Sequence, residues 1–107
     1  MIKIINGIEI QSNGDDSEVF DLKEHNRLLS FIDINIAPYM NLKTYNKRFT
    51  SYKLKRVIEK NIGFYISNYE LKLAMAERGF SGEYSGSSIN CNYKLSQAQY
   101  KKLQELR

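Results

Sequence analysis

Apolar residues along this chain fall into short blocks whose spacing changes from period two, to a helical three-and-four, and back to two. In the opening residues 1–10, Ile2, Ile4, Ile8 and Ile10 share one parity around Asn6-Gly7, a dipeptide suited to a type I′ turn, and the pattern predicts a short hairpin or bent strand. The run SNGDDSE at 12–18 reads as a loop; its acidic residues lack the alternating ligands and terminal Glu of an EF-hand, so a turn is expected there. From Asp21, a ready N-cap, the spacing turns helical, with Leu22, Leu28, Leu29, Ile32 and Ile36 on one face and Pro38 as the stop. The segment FIDINIA also alternates at period two, so a strand over 31–36 stands as the alternative. His25 falls on the exposed side of this helix, and with no second imidazole in the chain its expected role is structural.

The second half carries sharper punctuation. Thr50 or Ser51 can cap a helix whose apolar stripe is Leu54, Val57, Ile58 and Ile62, with Lys53, Lys55, Arg56 and Lys60 outside the stripe. Gly63 ends it in a left-handed cap, after which Phe64 folds back on the last turn. At Ser67 the sequence S-N-Y-E forms a capping box with Glu70, stapled by Ile66 and Leu71. The helix it starts carries Leu71, Ala74, Met75 and Arg78 and stops at Gly79, placing Phe80 against Met75 in a Schellman arrangement. A glycine-serine loop, SGEYSGSS, precedes SINCNYKL, where Ile89, Cys91, Tyr93 and Leu95 alternate with polar residues as in a half-buried strand. Cys91 lies on the apolar parity with no neighbouring His or Arg to activate it, and is expected to be a buried core thiol. A second capping box, Ser96 with Gln99, and a Leu95–Tyr100 staple launch a terminal helix bearing Tyr100, Leu103 and Leu106.

These pieces predict a small α+β single domain over residues 1–107: an N-terminal strand or hairpin, helices, and a winged helix-turn-helix-like C-terminal part. In that arrangement 51–62 is the positioning helix, 68–78 the recognition helix and 80–95 the wing. The outward candidates of the second helix, Asn68, Tyr69, Glu70, Lys72, Glu77 and Arg78, sum to no charge, so phosphate contact from the preceding helix and linker fits better than base reading. With 107 residues, the chain has room for one domain at roughly 100–200 residues per domain. Its 42% hydrophobic and 26% charged residues match a folded globular chain. No apolar run approaches the ~18 residues of a membrane span and the start lacks a cleavable signal, so a cytoplasmic protein away from membranes is expected. One cysteine and one histidine make neither an internal disulfide nor a zinc site, and neither metal nor cofactor is expected.

Charge divides the chain. Residues 1–42 hold 3 Lys/Arg against 7 Asp/Glu, net −4, while residues 43–107 hold 13 against 5, net +8. The stretch 43–60, KTYNKRFTSYKLKRVIEK, sets Lys43, Lys47, Arg48, Lys53, Lys55, Arg56 and Lys60 against Glu59 alone. Interleaved Tyr45, Phe49 and Tyr52 suit a polyanion, since cations neutralise phosphates while aromatic faces stack on bases.

The stretch TSYKLKRVIEKNIGFYISNYELKLAMAERGF, Thr50 to Phe80, with INCNY at 89–93, resembles a group of small accessory proteins of phages, prophages and related mobile elements. In that group a T-S-Y-x-L-K helix leads into G-F-Y-x-S-N and then A-M-x-x-x-G-F. The resemblance spans about a third of the chain and implies a genomic setting: DNA-binding regulators and inhibitors of host defence.

Enzymatic chemistry is not expected. There is no G-x-S-x-G elbow, no phosphate-cradling glycine loop with a Lys, no metal-ligand cluster, and adjacent Asp15-Asp16 do not form a spaced acid/base pair. The leading expectation is a module that binds DNA or a nucleoprotein, with Lys43, Lys47, Arg48, Lys53, Lys55, Arg56 and Lys60 on phosphates and Asn68, Tyr69 and Lys72 on the second helix. The alternative is a stoichiometric anti-defence inhibitor of the anti-CRISPR type that binds a host effector complex by protein contacts, its acidic first 42 residues facing a basic channel.

Overall fold

The computed structural model describes residues 2–11, 21–86 and 88–105. The acidic loop at 12–18, Ser87 in the glycine-serine loop, and Leu106 lie outside the described residues. β1 (Ile2–Ile5) and β2 (Ile8–Gln11) pair antiparallel with Ile5 opposite Ile8 and Lys3 opposite Ile10. Asn6 and Gly7 take φ of 53° and 77°, as the type I′ turn requires. A two-residue turn reverses parity between the strands, so the expected common face of Ile2, Ile4, Ile8 and Ile10 is split. Ile10 is buried, whereas Ile2 and Ile4 point outward with Glu9 and Gln11.

α1 (Leu22–Asn35) starts at Asp21, whose carboxylate accepts the Glu24 N–H at 3.0 Å. Leu28, Leu29, Ile32 and Ile36 are buried and Ile34 is exposed, which decides 31–36 for the helix. A strand there would have put Ile34 inside with Ile32 and Ile36. Leu22, expected on the buried face, is exposed because it sits in the first turn, ahead of the packed stretch. The helix ends before Pro38, which lies in a 3-10 turn, Ala37–Tyr39.

α2 (Ser51–Ile62) is capped by Thr50, whose hydroxyl accepts the Lys53 N–H at 3.3 Å, and closes at Gly63 in the left-handed region with φ 84°. α3 (Asn68–Glu77) begins with the Ser67 hydroxyl accepting the Glu70 N–H at 3.0 Å. It ends in a Schellman motif: Phe80 N–H donates to Met75 O and Gly79 N–H to Ala76 O, both at 2.9 Å. β3 (Glu83–Tyr84) pairs antiparallel with β4 (Cys91–Asn92). The chain from Leu42 to Thr50 runs along the other side of β4 and its continuation, with Asn46 N–H donating to Tyr93 O at 2.9 Å and Thr50 bridging Asn92. Cys91, Tyr93 and Leu95 are buried at the expected period, although ladder pairing is confined to two residues. α4 (Gln97–Glu105) follows Ser96, whose hydroxyl accepts the Gln99 N–H at 3.1 Å.

The main core gathers Leu28, Ile32 and Ile36 of α1, Leu54 and Ile58 of α2, Leu71 and Met75 of α3, and Tyr100 and Leu103 of α4. A second cluster seats Ile10 and the inner face of the hairpin on Tyr69 and Ala76 of α3. Gly82 passes so close to β4 that a Cβ there would run into the Cys91 sulfur, and burial pushes the Cys91 thiol above its usual pKa.

α3 is the central helix, and four of the six residues expected on its outward face are turned inward. Asn68, Tyr69, Glu70 and Lys72 are all buried. The cause is that each finds an internal partner, which offsets most of the cost of burial; among their side-chain atoms Asn68 Oδ1 is buried without a hydrogen-bond partner. Asn68 donates to Asn90 Oδ1 at 2.7 Å. Tyr69 packs on Ile10, with the Lys3 ammonium 5.4 Å from its ring centre. Lys72 donates to the carbonyls of Gln11 and Ile89. Glu77 and Arg78 remain at the surface, where Arg78 holds Asp33 of α1 through two contacts at 2.7 and 3.1 Å.

His25 corrects a further expectation, since it is buried against α3. Its Nδ1 lies 2.9 Å from Glu70 Oε2 and its Nε2 2.7 Å from Glu77 Oε1, two carboxylates spaced two helical turns apart on the facing helix. Burial works to lower its pKa, but hydrogen bonds and charge attraction from both carboxylates prevail and raise it above 6.5. The imidazolium, with two N–H donors, is the form this site satisfies.

A histidine pKa raised by folding contributes stability that is fully present below its unfolded value of 6.5 and lost as pH rises through the folded value. The melting temperature of the wild type is therefore expected to fall between pH 6 and pH 9, and a His25→Gln variant to lose that slope. At pH 6 the substitution is expected to cost on the order of 3 kcal/mol, because it leaves Glu70 buried without its cation. Lys72→Met, which strips the Gln11 and Ile89 carbonyls of their donor, is expected to cost roughly 2–4 kcal/mol in urea denaturation.

Candidate nucleic-acid interface

α2 turns Leu54, Val57 and Ile58 inward, and the helical period then directs Tyr52, Arg56, Lys60 and the Gly63 cap to the opposite side. Gly63 reverses the chain there. Phe64 and Tyr65 run back beside the last turns, and an open groove of about 620 Å³ forms between them and α2. The Arg27 guanidinium of α1 lies 5.3 Å from the Phe64 ring centre and reaches the Ile62 carbonyl at 3.5 Å, placing a cation at the C-terminal end of α2. Phe64 is thereby fixed as part of the groove wall.

Lys55 is the organising side chain, and it does not stand outside the apolar stripe as expected. It is buried, with Nζ 2.7 Å from Glu59 Oε1, 5.1 Å from the Tyr52 ring centre and 4.7 Å from that of Tyr65. One ammonium thus faces two tyrosine rings and neutralises the groove's carboxylate. The rings stay accessible: Tyr52 is 44% and Tyr65 69% exposed. Arg56, 6.0 Å from the Tyr52 ring centre, and Lys60 are exposed at the same groove, so its net charge is positive.

The remaining candidates divide clearly. Lys43, Lys47 and Arg48 are exposed on the loop before α2, which Asn46 pins by donating to Leu95 O at 3.0 Å and accepting the Arg48 N–H at 3.0 Å. Arg48 also reaches Gln97 Oε1 at 2.8 Å. Lys53 is exposed on α2. Asn68, Tyr69 and Lys72 lie inside the fold, away from any surface a phosphate could reach. Among the interleaved aromatics, Phe49 is stacked on Tyr100 with ring centres 3.7 Å apart, and Tyr45 lies under the Lys94 ammonium at 4.9 Å. Tyr52 is left, joined by Tyr65, which sequence reasoning did not single out. The signal was present in the Gly63 cap, which folds Tyr65 back as surely as Phe64.

Among the described residues, no group of three His, Cys, Asp or Glu side chains is placed to hold a metal ion, and no helix is long and apolar enough to cross a membrane. Comparison of the chain with protein-family models, curated proteins and solved structures gives no match.

Lys55 and Lys53 separate a structural cation from a surface one. Lys55→Met is expected to lower stability by about 1–2 kcal/mol, since the Tyr52 and Tyr65 rings lose their cation and Glu59 is left unpaired. Lys53→Met is expected to stay within about 0.5 kcal/mol of wild type. Paired thermal melts distinguish them; equal effects would show that Lys55 is solvated.

Proposed function

We propose that this is a small accessory protein that binds nucleic acid or a nucleoprotein through the basic surface of α2 and the loop before it. The observation that carries the reading is the groove, where exposed tyrosine rings stand beside Arg56 and Lys60 on a helix that also exposes Lys53. Phosphates engage the cations and release their counterions, which makes attachment steep in salt. Lys43, Lys47 and Arg48 extend the same positive surface into the loop. Lys55 acts from inside as a support for the rings, and α3 serves as scaffold instead of as a reading helix. A winged helix-turn-helix mode, which needs an exposed second helix, finds no support in a helix whose Asn68, Tyr69, Glu70 and Lys72 are held internally. The likeness of residues 50–80 to phage and mobile-element accessory proteins supports a role on nucleic acid or on a host complex that carries it, in the host cytoplasm.

Lys53→Glu, Arg56→Glu and Lys60→Glu combined should abolish nucleic-acid binding at moderate salt while leaving the fold intact, because all three side chains are exposed. For the wild type, log affinity should fall with log salt by about 0.7–0.9 per phosphate contacted. Fluorescence anisotropy across a salt series, with circular dichroism as the folding control, measures both. Undiminished binding by the triple variant would sink the proposal.

A further inference from the structure

We infer that the groove between α2 and Phe64–Tyr65 takes a single nucleic-acid strand, with bases stacked on Tyr65 and Tyr52 and phosphates on Arg56 and Lys60; this rests on the nucleic-acid reading above. Duplex readers project a helix or a two-stranded ribbon into the major groove. Here the basic face of α2 is the wall of a concavity, and α3, the other helix of the pair, is enclosed. A concave strip of cations and rings accommodates a flexible strand whose bases are free to turn toward the protein.

The rings themselves argue for stacking. The Lys55 ammonium lies over Tyr52 and Tyr65, so the large exposure of Tyr65 belongs to its other face and edge, which meet solvent. A tyrosine left 69% exposed on a folded surface forgoes burial of a large apolar ring. Held from behind by a buried cation, it loses less freedom when a base settles on it. Glu59, the groove's carboxylate, is tied to Lys55 at 2.7 Å, so phosphates meet Arg56 and Lys60 without an unpaired negative charge between them. Stacking of this kind accepts any base, and the expected recognition is of strandedness more than of sequence.

The test uses the full chain and three labelled probes of about 12 nucleotides, a deoxyuridine strand, a uridine strand and a mixed-sequence DNA duplex, followed by anisotropy at low salt. At least one single strand should bind about tenfold or more tightly than the duplex, and the tighter of the two identifies the sugar. Tyr65→Ala should weaken single-strand binding about tenfold with its salt slope unchanged, Tyr65→Phe should retain it, and Arg56→Gln should reduce the slope by about 0.7. Equal affinity for duplex and single strands, or indifference to Tyr65→Ala while the salt slope persists, would overturn this inference and leave the basic-surface reading standing. No binding to any probe would overturn both.

Discussion

An ammonium withdrawn from water must be solvated by the protein itself, and the way Lys72 meets that demand determines how this chain closes. Stranding such a charge costs several kcal/mol, so partners are obligatory. Lys72 draws them from distant parts of the sequence: the Gln11 carbonyl at the end of the first hairpin and the Ile89 carbonyl ahead of β4, with the Tyr84 ring 5.5 Å away. Gln11 is held from both sides, because its N–H donates to the Tyr84 hydroxyl at 3.1 Å. Both hairpins are thereby fastened to one position on α3. Neither, at two and four residues per strand, would hold its shape alone.

The same economy explains where charge is left for other work. α3 consumes its polar residues internally, Glu70 on His25 and Lys72 on carbonyls, and α1 spends His25 and Asp33 on it. α2 is different. Apart from Lys55 and Glu59, which pair with each other, its charged side chains stay in water, and the loop before it adds three more cations. The surface cations of 43–60 therefore lie on elements whose shape is guaranteed by apolar burial and by the pinned Asn46, not by the cations themselves.

Local signals read well from the sequence, because their physics is local. The Asn6-Gly7 turn, the Asp21, Thr50, Ser67 and Ser96 caps, the Gly63 and Gly79 stops and the burial of Cys91 each depend on a few adjacent residues. What escaped was set by partners far along the chain. His25, Lys55, Asn68, Tyr69, Glu70 and Lys72 look like surface residues until their counterparts are brought alongside by folding. Assigning the polar side of α3 to solvent followed from composition alone, and composition carries no record of Gln11 or Ile89. In the groove, Arg56, Lys60 and Tyr52 were legible as an exposed basic-aromatic strip. Tyr65 was not singled out, although the Gly63 cap that turns Phe64 back carries Tyr65 with it.

The close approach of Gly82 to Cys91 gives the molecule an internal clock. The chain contains one thiol, it is 1% exposed, and the backbone at Gly82 comes so near that no side chain fits between. A thiol reagent can reach that sulfur only when the β3–β4 hairpin lifts or the whole domain opens. The rate of labelling at one atom therefore reports how often this region opens, and its dependence on denaturant separates local lifting from global unfolding.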